Sequence, residues 1–202
     1  MTWTEKVSIR LARRIKTEDS PYSLGTLAHG IEIFLLNIIS LLAILICSSL
    51  FQLFNEVMIL FLLFYLHRLL TGGVHLRNPW TCLLATLALM MAGGYLVKHL
   101  PVLPTPYAQL VVLAGCGISF AINFRHAPAE HTYVPTNPAI QRRNRRIVLW
   151  MIGIGCGICI SLVGYTYQLS MTYSLAVFLQ SVLLMPSSFQ LVAQLEKTFL
   201  RG

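Results

Sequence analysis

The stretch Arg68-Leu-Leu-Thr-Gly-Gly-Val-His75-Leu-Arg-Asn-Pro-Trp-Thr-Cys82 is a short polar interruption between two strongly apolar segments. Gly72 and Gly73 allow the chain to turn sharply, because glycine accepts backbone angles that other residues avoid. Asn78 is a favoured N-cap and Pro79 a favoured first helical residue, whereas a proline inside a helix would break it. The stretch therefore predicts that one helix ends near the diglycine and that another begins at Pro79.

The composition indicates an integral membrane protein. The chain has 202 residues, of which 56% are hydrophobic and only 11% are charged. A soluble domain carries about 25% charged residues, more than twice that fraction. The net charge of +8 is spread beside the apolar runs and does not form one soluble patch. It therefore predicts membrane topology and attraction to anionic lipid or to an acidic peptide, and it argues against nucleic acid as a partner.

The apolar runs predict an all-α polytopic protein with six transmembrane helices in a single membrane domain, residues 1–202. Each span takes roughly 20 apolar residues. The predicted spans are 29–54, 57–70, 79–97, 107–124, 147–169 and 171–195, the last with a kink at Pro186. Residues 1–21 are predicted to form an amphipathic helix at the membrane interface, since one arc is apolar and most basic residues lie on the other. The apolar side chains of that arc recur every four residues, at Trp3, Val7, Leu11 and Ile15.

The distribution of basic residues predicts the orientation of the chain. Six spans place both termini on the same side of the membrane. Of the 15 Lys and Arg residues, all but Lys98 fall in the terminal segments, the 68–82 stretch or the loop 125–146. The positive-inside rule then makes the termini, the 68–82 stretch and the basic loop cytoplasmic. The second and third spans look short, which suggests that the loop between them lies below the membrane surface.

His75 and Cys82 are a candidate base and nucleophile. On one continuous helix they would be about 10 Å apart along the axis, too far for proton transfer. A helix that starts at Pro79 instead puts Cys82 in its first turn, where the helix dipole favours a thiolate and the N–H groups can bind an oxyanion. The alternative is that neither residue is catalytic: Cys82 would be a small packing residue, and His75 a side chain at the membrane interface.

The motif Gly72-Gly73-Val74-His75, with Cys82 seven residues after the histidine and Arg68 four residues before the first glycine, resembles the accessory gene regulator B (AgrB) family. These are bacterial membrane endopeptidases that process a quorum-sensing propeptide. The segment 127–130, Ala-Pro-Ala-Glu, with the later Pro138 and arginine run, also resembles the family's cytoplasmic loop. Leu76 departs from the family, in which small residues are frequent at this position.

The resemblance implies a cysteine peptidase of the bacterial cell membrane with Cys82 as nucleophile and His75 as general base and acid. The substrate would be an AgrD-like propeptide with an amphipathic leader, a central signal sequence and an acidic C-terminal tail. An acyl-enzyme thioester would then be released as a cyclic thiolactone or lactone. The resemblance also implies a homodimer. Candidate residues for binding the acidic tail, or anionic lipid, are Arg142, Arg143, Arg145 and Arg146.

Several points stay open at the level of sequence. Arg68, Gly72, Gly73, Asn78 and Pro79 are expected to support the loop, and Arg68 could also orient the substrate. The third residue that orients His75 could be Glu32, Asn78 or Asn123. No metal site or cofactor is predicted, since the histidine and cysteine spacings match no zinc-peptidase pattern. Two other functions compete with the peptidase: a peptide exporter gated by the 68–82 loop, and a scaffold that docks the propeptide for another protease.

Overall fold

The computed structural model describes residues 3–17, 20, 22–74, 76, 78–129 and 137–199. These residues form α-helices and no β-strand, so the predicted all-α polytopic fold class is confirmed. The helices are α1 (Trp3–Ile15), α2 (Leu24–Leu50), α3 (Phe54–Thr71), α4 (Pro79–His99), α5 (Thr105–His126), α6 (Pro138–Leu162), α7 (Tyr167–Val182) and α8 (Pro186–Phe199).

Five helices, α2 to α6, are long and apolar enough to cross a membrane. The sixth predicted span, 171–195, is divided between two helices, α7 and α8. The chain bends by 66° at the break between them. Pro186 explains the break, since it has no N–H to continue the helical hydrogen bonds. The Val182 carbonyl instead accepts from the Ser188 hydroxyl at 2.6 Å. By length and composition, the described residues thus contain five candidate spans, or six if the bent pair counts as one.

Helix α7 is the centre of the bundle and packs against α3, α4, α5 and α6. It is rich in small and polar residues, which let neighbouring helices approach closely in a membrane protein. Its buried residues are Ser170, Met171, Thr172, Ser174, Ala176, Val177, Gln180 and Ser181. The helix contributes to both apolar clusters of the core, one shared with α5 and α6 and the other with α2, α3 and α4.

Glycines bring particular helix pairs together. A Cβ at Gly155 of α6 would collide with the Tyr173 ring, and a Cβ at Gly93 of α4 would lie 2.5 Å from the Leu60 side chain. Three glycines of α6 stand at alternate positions, and of these Gly155 makes a close helix contact. A Cβ on either of the other two, Gly153 or Gly157, would face open space.

Helix α1 packs on the first turns of α2 through small residues. Thr4, Ser8 and Ala12 are buried, and the Thr4 hydroxyl donates to Glu32 Oε1 at 3.0 Å. The apolar arc that the sequence singles out is displaced from this contact, since Trp3 and Ile15 are exposed. This arrangement leaves the larger apolar side chains on the surface.

Two helices around the 68–82 loop are longer than the apolar runs indicate. Helix α3 has 18 residues and α4 has 21, about 27 and 31 Å at 1.5 Å per residue. The predicted lengths of these two spans were therefore too short, while the depth of the loop in the membrane stays a prediction. Helix α6 similarly starts at Pro138, capped by the Asn137 side chain at 2.9 Å, so the predicted loop 125–146 is helical from residue 138 onward.

Candidate active site

The end of α3 turns sharply through the diglycine. Gly72 is the C-cap, with φ 68°, and its N–H donates to the Arg68 carbonyl at 2.8 Å. Gly73 also has a positive φ, 135°. Such angles are strained for residues with a Cβ. The two glycines therefore let the chain leave α3 and pass back across its end.

The start of α4 places Cys82 in the first helical turn. The Asn78 side chain accepts from the Trp80 N–H at 3.0 Å, and Pro79 is the first helical residue. The Asn78 carbonyl accepts from the Cys82 N–H at 3.1 Å and from the Thr81 hydroxyl at 2.9 Å. Cys82 itself is half-buried. The positive end of the helix dipole thus lies beside the thiol.

Fewer N–H groups of the first turn of α4 can bind an oxyanion than the sequence predicts. The Trp80 and Cys82 N–H groups both donate to Asn78, and Pro79 has no N–H. The Thr81 N–H is therefore the candidate donor to an oxyanion.

Arg68 holds the loop that follows α3. Its Nη2 donates to the Val74 carbonyl at 2.7 Å, and its guanidinium lies 5.7 Å from the centre of the Phe64 ring. A Cβ on Gly73 would lie 3.2 Å from Arg68 Nη1. Among the predicted site residues, the structure therefore brings Arg68 together with the diglycine turn.

The loop is docked on the C-terminal end of α7. Gln180 Nε2 donates to the Gly72 carbonyl and to the Thr71 hydroxyl, both at 2.7 Å. The Val74 N–H donates to the Leu183 carbonyl at 3.2 Å. Sequence reasoning missed these α7 residues. The available signal was a Gln-Ser pair inside an apolar run, because buried polar groups in a membrane span tend to be functional.

His75, the predicted base, lies outside the described residues, so its distance from Cys82 stays a prediction. Of the three residues proposed to orient it, Glu32 accepts from Thr4 and Asn78 caps α4. Asn123 is buried and donates to the Ser181 hydroxyl at 2.7 Å. Its Oδ1 has no hydrogen-bond partner within the described part of the chain, which leaves this oxygen able to accept one more bond.

The arginine run lies on the first turns of α6. Arg142, Arg143 and Arg146 are exposed. Arg145 is half-buried, and its guanidinium lies 4.9 Å from the centre of the Phe124 ring, a cation–π distance. Three of the four guanidinium groups are thus open to anions from outside the protein.

A metal site finds no support in the described ranges. Within them, no group of three or more His, Cys, Asp or Glu side chains could hold a metal ion. The described cysteines are all free thiols.

Comparison with known proteins identifies the family. The family model for accessory gene regulator B matches residues 5–184. A curated relative from Clostridium acetobutylicum, described as AgrB-like, is 31% identical over 126 residues. That match covers 62% of this chain and 57% of the relative's own length. No solved structure matches the chain. The protein therefore belongs to the accessory gene regulator B family, whose members take part in accessory gene regulator peptide processing.

Proposed function

We propose that the protein is a membrane cysteine endopeptidase that cleaves an AgrD-like propeptide before its acidic tail and releases a cyclic peptide. One observation carries the proposal: Cys82 lies in the first turn of a helix that is capped by the Asn78 side chain. A helix start favours the thiolate, which is the nucleophilic form of cysteine.

In the first step, His75 takes the Cys82 proton and the thiolate attacks the carbonyl carbon before the tail. The Thr81 N–H is the candidate donor to the oxyanion. The C–N bond then breaks, and His75 returns the proton to the leaving amine of the tail. The signal part of the peptide stays on Cys82 as a thioester.

In the second step, a cysteine or serine inside the bound peptide attacks the thioester carbonyl. His75 takes the proton of the attacking thiol or hydroxyl, and the new bond closes a thiolactone or lactone ring. The bond between the carbonyl carbon and Cys82 breaks, and the Cys82 thiolate receives that proton from His75. A thioester is readily lost to water, so a site at the membrane edge helps ring closure compete with hydrolysis.

The decisive test uses the full-length protein in vesicles with a synthetic propeptide. Cys82→Ala should abolish cleavage, whereas Cys47→Ala, a change at a half-buried cysteine of α2, should leave it unchanged. Mass spectrometry of the wild-type reaction should detect the signal peptide on Cys82, and hydroxylamine should release it. Full cleavage by Cys82→Ala would refute the peptidase and favour an exporter or a docking scaffold.

We also propose that the exposed arginines of α6 bind the acidic tail of the propeptide. Guanidinium groups bind carboxylates well, and three of them are open to such a partner. Reversing two charges, Arg142→Glu with Arg146→Glu, should raise KM for the propeptide with kcat little changed. A propeptide with its tail carboxylates neutralised should show the same high KM with the wild type. If the doubly reversed protein keeps the wild-type KM, these arginines do not bind the tail, and binding of anionic lipid becomes the better explanation of their role.

The proposed orientation has both termini and the 68–82 loop on the cytoplasmic side of a bacterial membrane, as the distribution of basic residues favours. Single cysteines placed at positions 100 and 140 provide the test. From outside intact cells, a membrane-impermeant thiol reagent should label position 100 and not position 140. The reverse pattern would overturn the orientation. A homodimer, implied by the family, can be tested by cross-linking in native membranes.

A further inference from the structure

Helix α8 follows the central helix but lies largely outside the bundle. Helices α1 to α7 pack against one another, and within the described ranges α8 has no comparable contact with any of them. Three large apolar side chains of α8 are exposed: Phe189, Leu191 and Leu195. A cluster of exposed apolar groups of this kind marks an interaction surface.

The apolar and polar side chains of α8 lie on different faces. At 3.6 residues per turn, Leu191, Val192 and Leu195 fall within an arc of about 100°. The exposed polar residues of the other face are Gln190, Gln194 and Lys197. Phe189 and Glu196 stand at the edge between the two faces. Helix α8 is therefore amphipathic, with an apolar stripe wide enough to pack on apolar surroundings.

Helix α7 reaches both ends of α3 before α8 begins. Near its start, Tyr167 lines a cavity together with Asn55 and Glu56 in the first turn of α3. Near its end, Gln180 donates to the hydroxyl of Thr71, the last residue of α3. Because α3 is itself close to the length of a span, α7 can cross the membrane alongside it without α8. Helix α8 then starts at the membrane surface on the side of the diglycine turn.

The bend between α7 and α8 is fixed by hydrogen bonds. Pro186 interrupts the helical pattern. The Ser188 N–H donates to the Met185 carbonyl at 2.9 Å, and the Ser188 hydroxyl donates to the Val182 carbonyl at 2.6 Å. After a bend of 66°, the 14 residues of α8 advance about 9 Å along the direction of α7 and about 19 Å sideways. If α7 has the average tilt of a span, about 20°, α8 makes an angle of about 46–86° with the membrane normal.

Ser188 also shows which face of α8 turns toward the membrane. Its hydroxyl reaches back to Val182 of α7, so this side of α8 faces the span. Around the helix axis, Ser188 falls between Leu195 and Val192, in the middle of the apolar face. The apolar face therefore turns toward the lipid around α7, and the polar face turns away from it.

We propose that α8 is an in-plane helix that binds the lipid surface on the side of the diglycine turn. Leu191, Val192 and Leu195 lie among the acyl chains, and Lys197 lies at the head groups, where anionic lipid attracts it. The diglycine turn is held at the same depth, because the Leu183 carbonyl that accepts from Val74 comes just before α8. This role of α8 does not depend on the proposed peptidase activity.

The test measures the environment of nitroxide spin labels in vesicles of phosphatidylethanolamine and phosphatidylglycerol. The labels are attached to single cysteines in the full-length chain with its native cysteines changed to alanine. Leu195→Cys labels the apolar face, and Gln190→Cys is the matched change on the polar face. Oxygen concentrates in lipid and a nickel chelate in water, so the ratio of their collision rates should be several-fold higher at position 195 than at position 190.

Depth along the helix separates an in-plane helix from the continuation of a span. Leu191→Cys and Leu195→Cys label the same face one turn apart. Their depths should differ by about 2 Å in an in-plane helix bent by 66°, against about 6 Å in a helix that continues along α7. Ile154→Cys, at an exposed position of α6, supplies a reference label within a span.

Two results would overturn the proposal. Equal collision ratios at positions 190 and 195 would mean that neither face is in lipid. Low collision rates with both reagents at position 195 would mean that protein, such as a second copy of the chain, covers the apolar face. If the protein without native cysteines does not fold, p-benzoylphenylalanine at the same two positions of the otherwise wild-type chain replaces the labels. On illumination, position 195 should then cross-link to lipid and position 190 should not, and equal cross-linking would refute the in-plane helix.

Discussion

Replacing Gly73 with alanine perturbs the site without removing any functional group. Gly73 has φ 135°, a region that costs a residue with a side chain on the order of 1–3 kcal/mol. The added Cβ would also meet Arg68 Nη1 at 3.2 Å, so the guanidinium must shift by a few tenths of an ångström. The change therefore loads strain onto the turn and onto Arg68.

The strain is comparable in size to the forces that dock the turn. Gln180 binds the Gly72 carbonyl, Leu183 accepts from Val74, and Arg68 donates to the Val74 carbonyl. Neutral hydrogen bonds each contribute about 0.5–1.5 kcal/mol net, and one from a charged group about 1.5–3 kcal/mol. A strain of about 2 kcal/mol would shift the balance between docked and undocked turns by about 30-fold. The helices should remain folded, because the strain is confined to the turn.

Hydrogen exchange measured by mass spectrometry checks this expectation. In Gly73→Ala, the peptide that contains Val74 should exchange up to about 30-fold faster, while peptides from α5 and α6 should be unchanged. Gly117→Ala is the matched control, since a Cβ there meets nothing within 4 Å. It should leave exchange at Val74 unaltered. Wild-type exchange of the turn in Gly73→Ala would refute the docking of this loop on α7.

Two further predictions concern the helices that support the site. Pro186→Ala restores an N–H at the break and favours a continuous helix, in which the Leu183 carbonyl is used within the helix. The Val74 N–H then loses its acceptor, and its hydrogen exchange should become faster. Gly155→Ala drives a methyl group into the Tyr173 ring and should destabilise the bundle by about 1–3 kcal/mol, seen as a lower Tm. The same change two residues earlier, where the glycine faces open space, should lower the Tm much less.

The local chemistry of helix ends was readable from the sequence. The Asn78-Pro79 pair marks the start of α4, and the Asn137-Pro138 pair marks that of α6, through the same capping preference. The first pair was interpreted in this way, but the second was not. The arginine run after Asn137 is so polar that hydropathy placed it in a loop. Hydropathy detects the part of a helix that lies in lipid and says little about the part that extends beyond it.

The supporting contacts of the site could not be predicted from sequence, because they depend on tertiary packing. Gln180 is about 110 residues from Arg68 along the chain, and only the bundle brings them together. The polar character of Gln180 was visible in an apolar run, but its partners were not. The assignment of Cys82 to a first helical turn, by contrast, needed only local rules.

The break between α7 and α8 explains why the end of α7 can support the loop at all. A continuous helix uses each carbonyl internally, so a neighbouring loop has no backbone acceptor to bind. Pro186 interrupts that pattern, and the Leu183 carbonyl becomes available to the Val74 N–H. One turn earlier, Gln180 presents an amide that can both donate and accept. A single proline just after the central helix thus makes available the polar surface on which the turn before Cys82 is held.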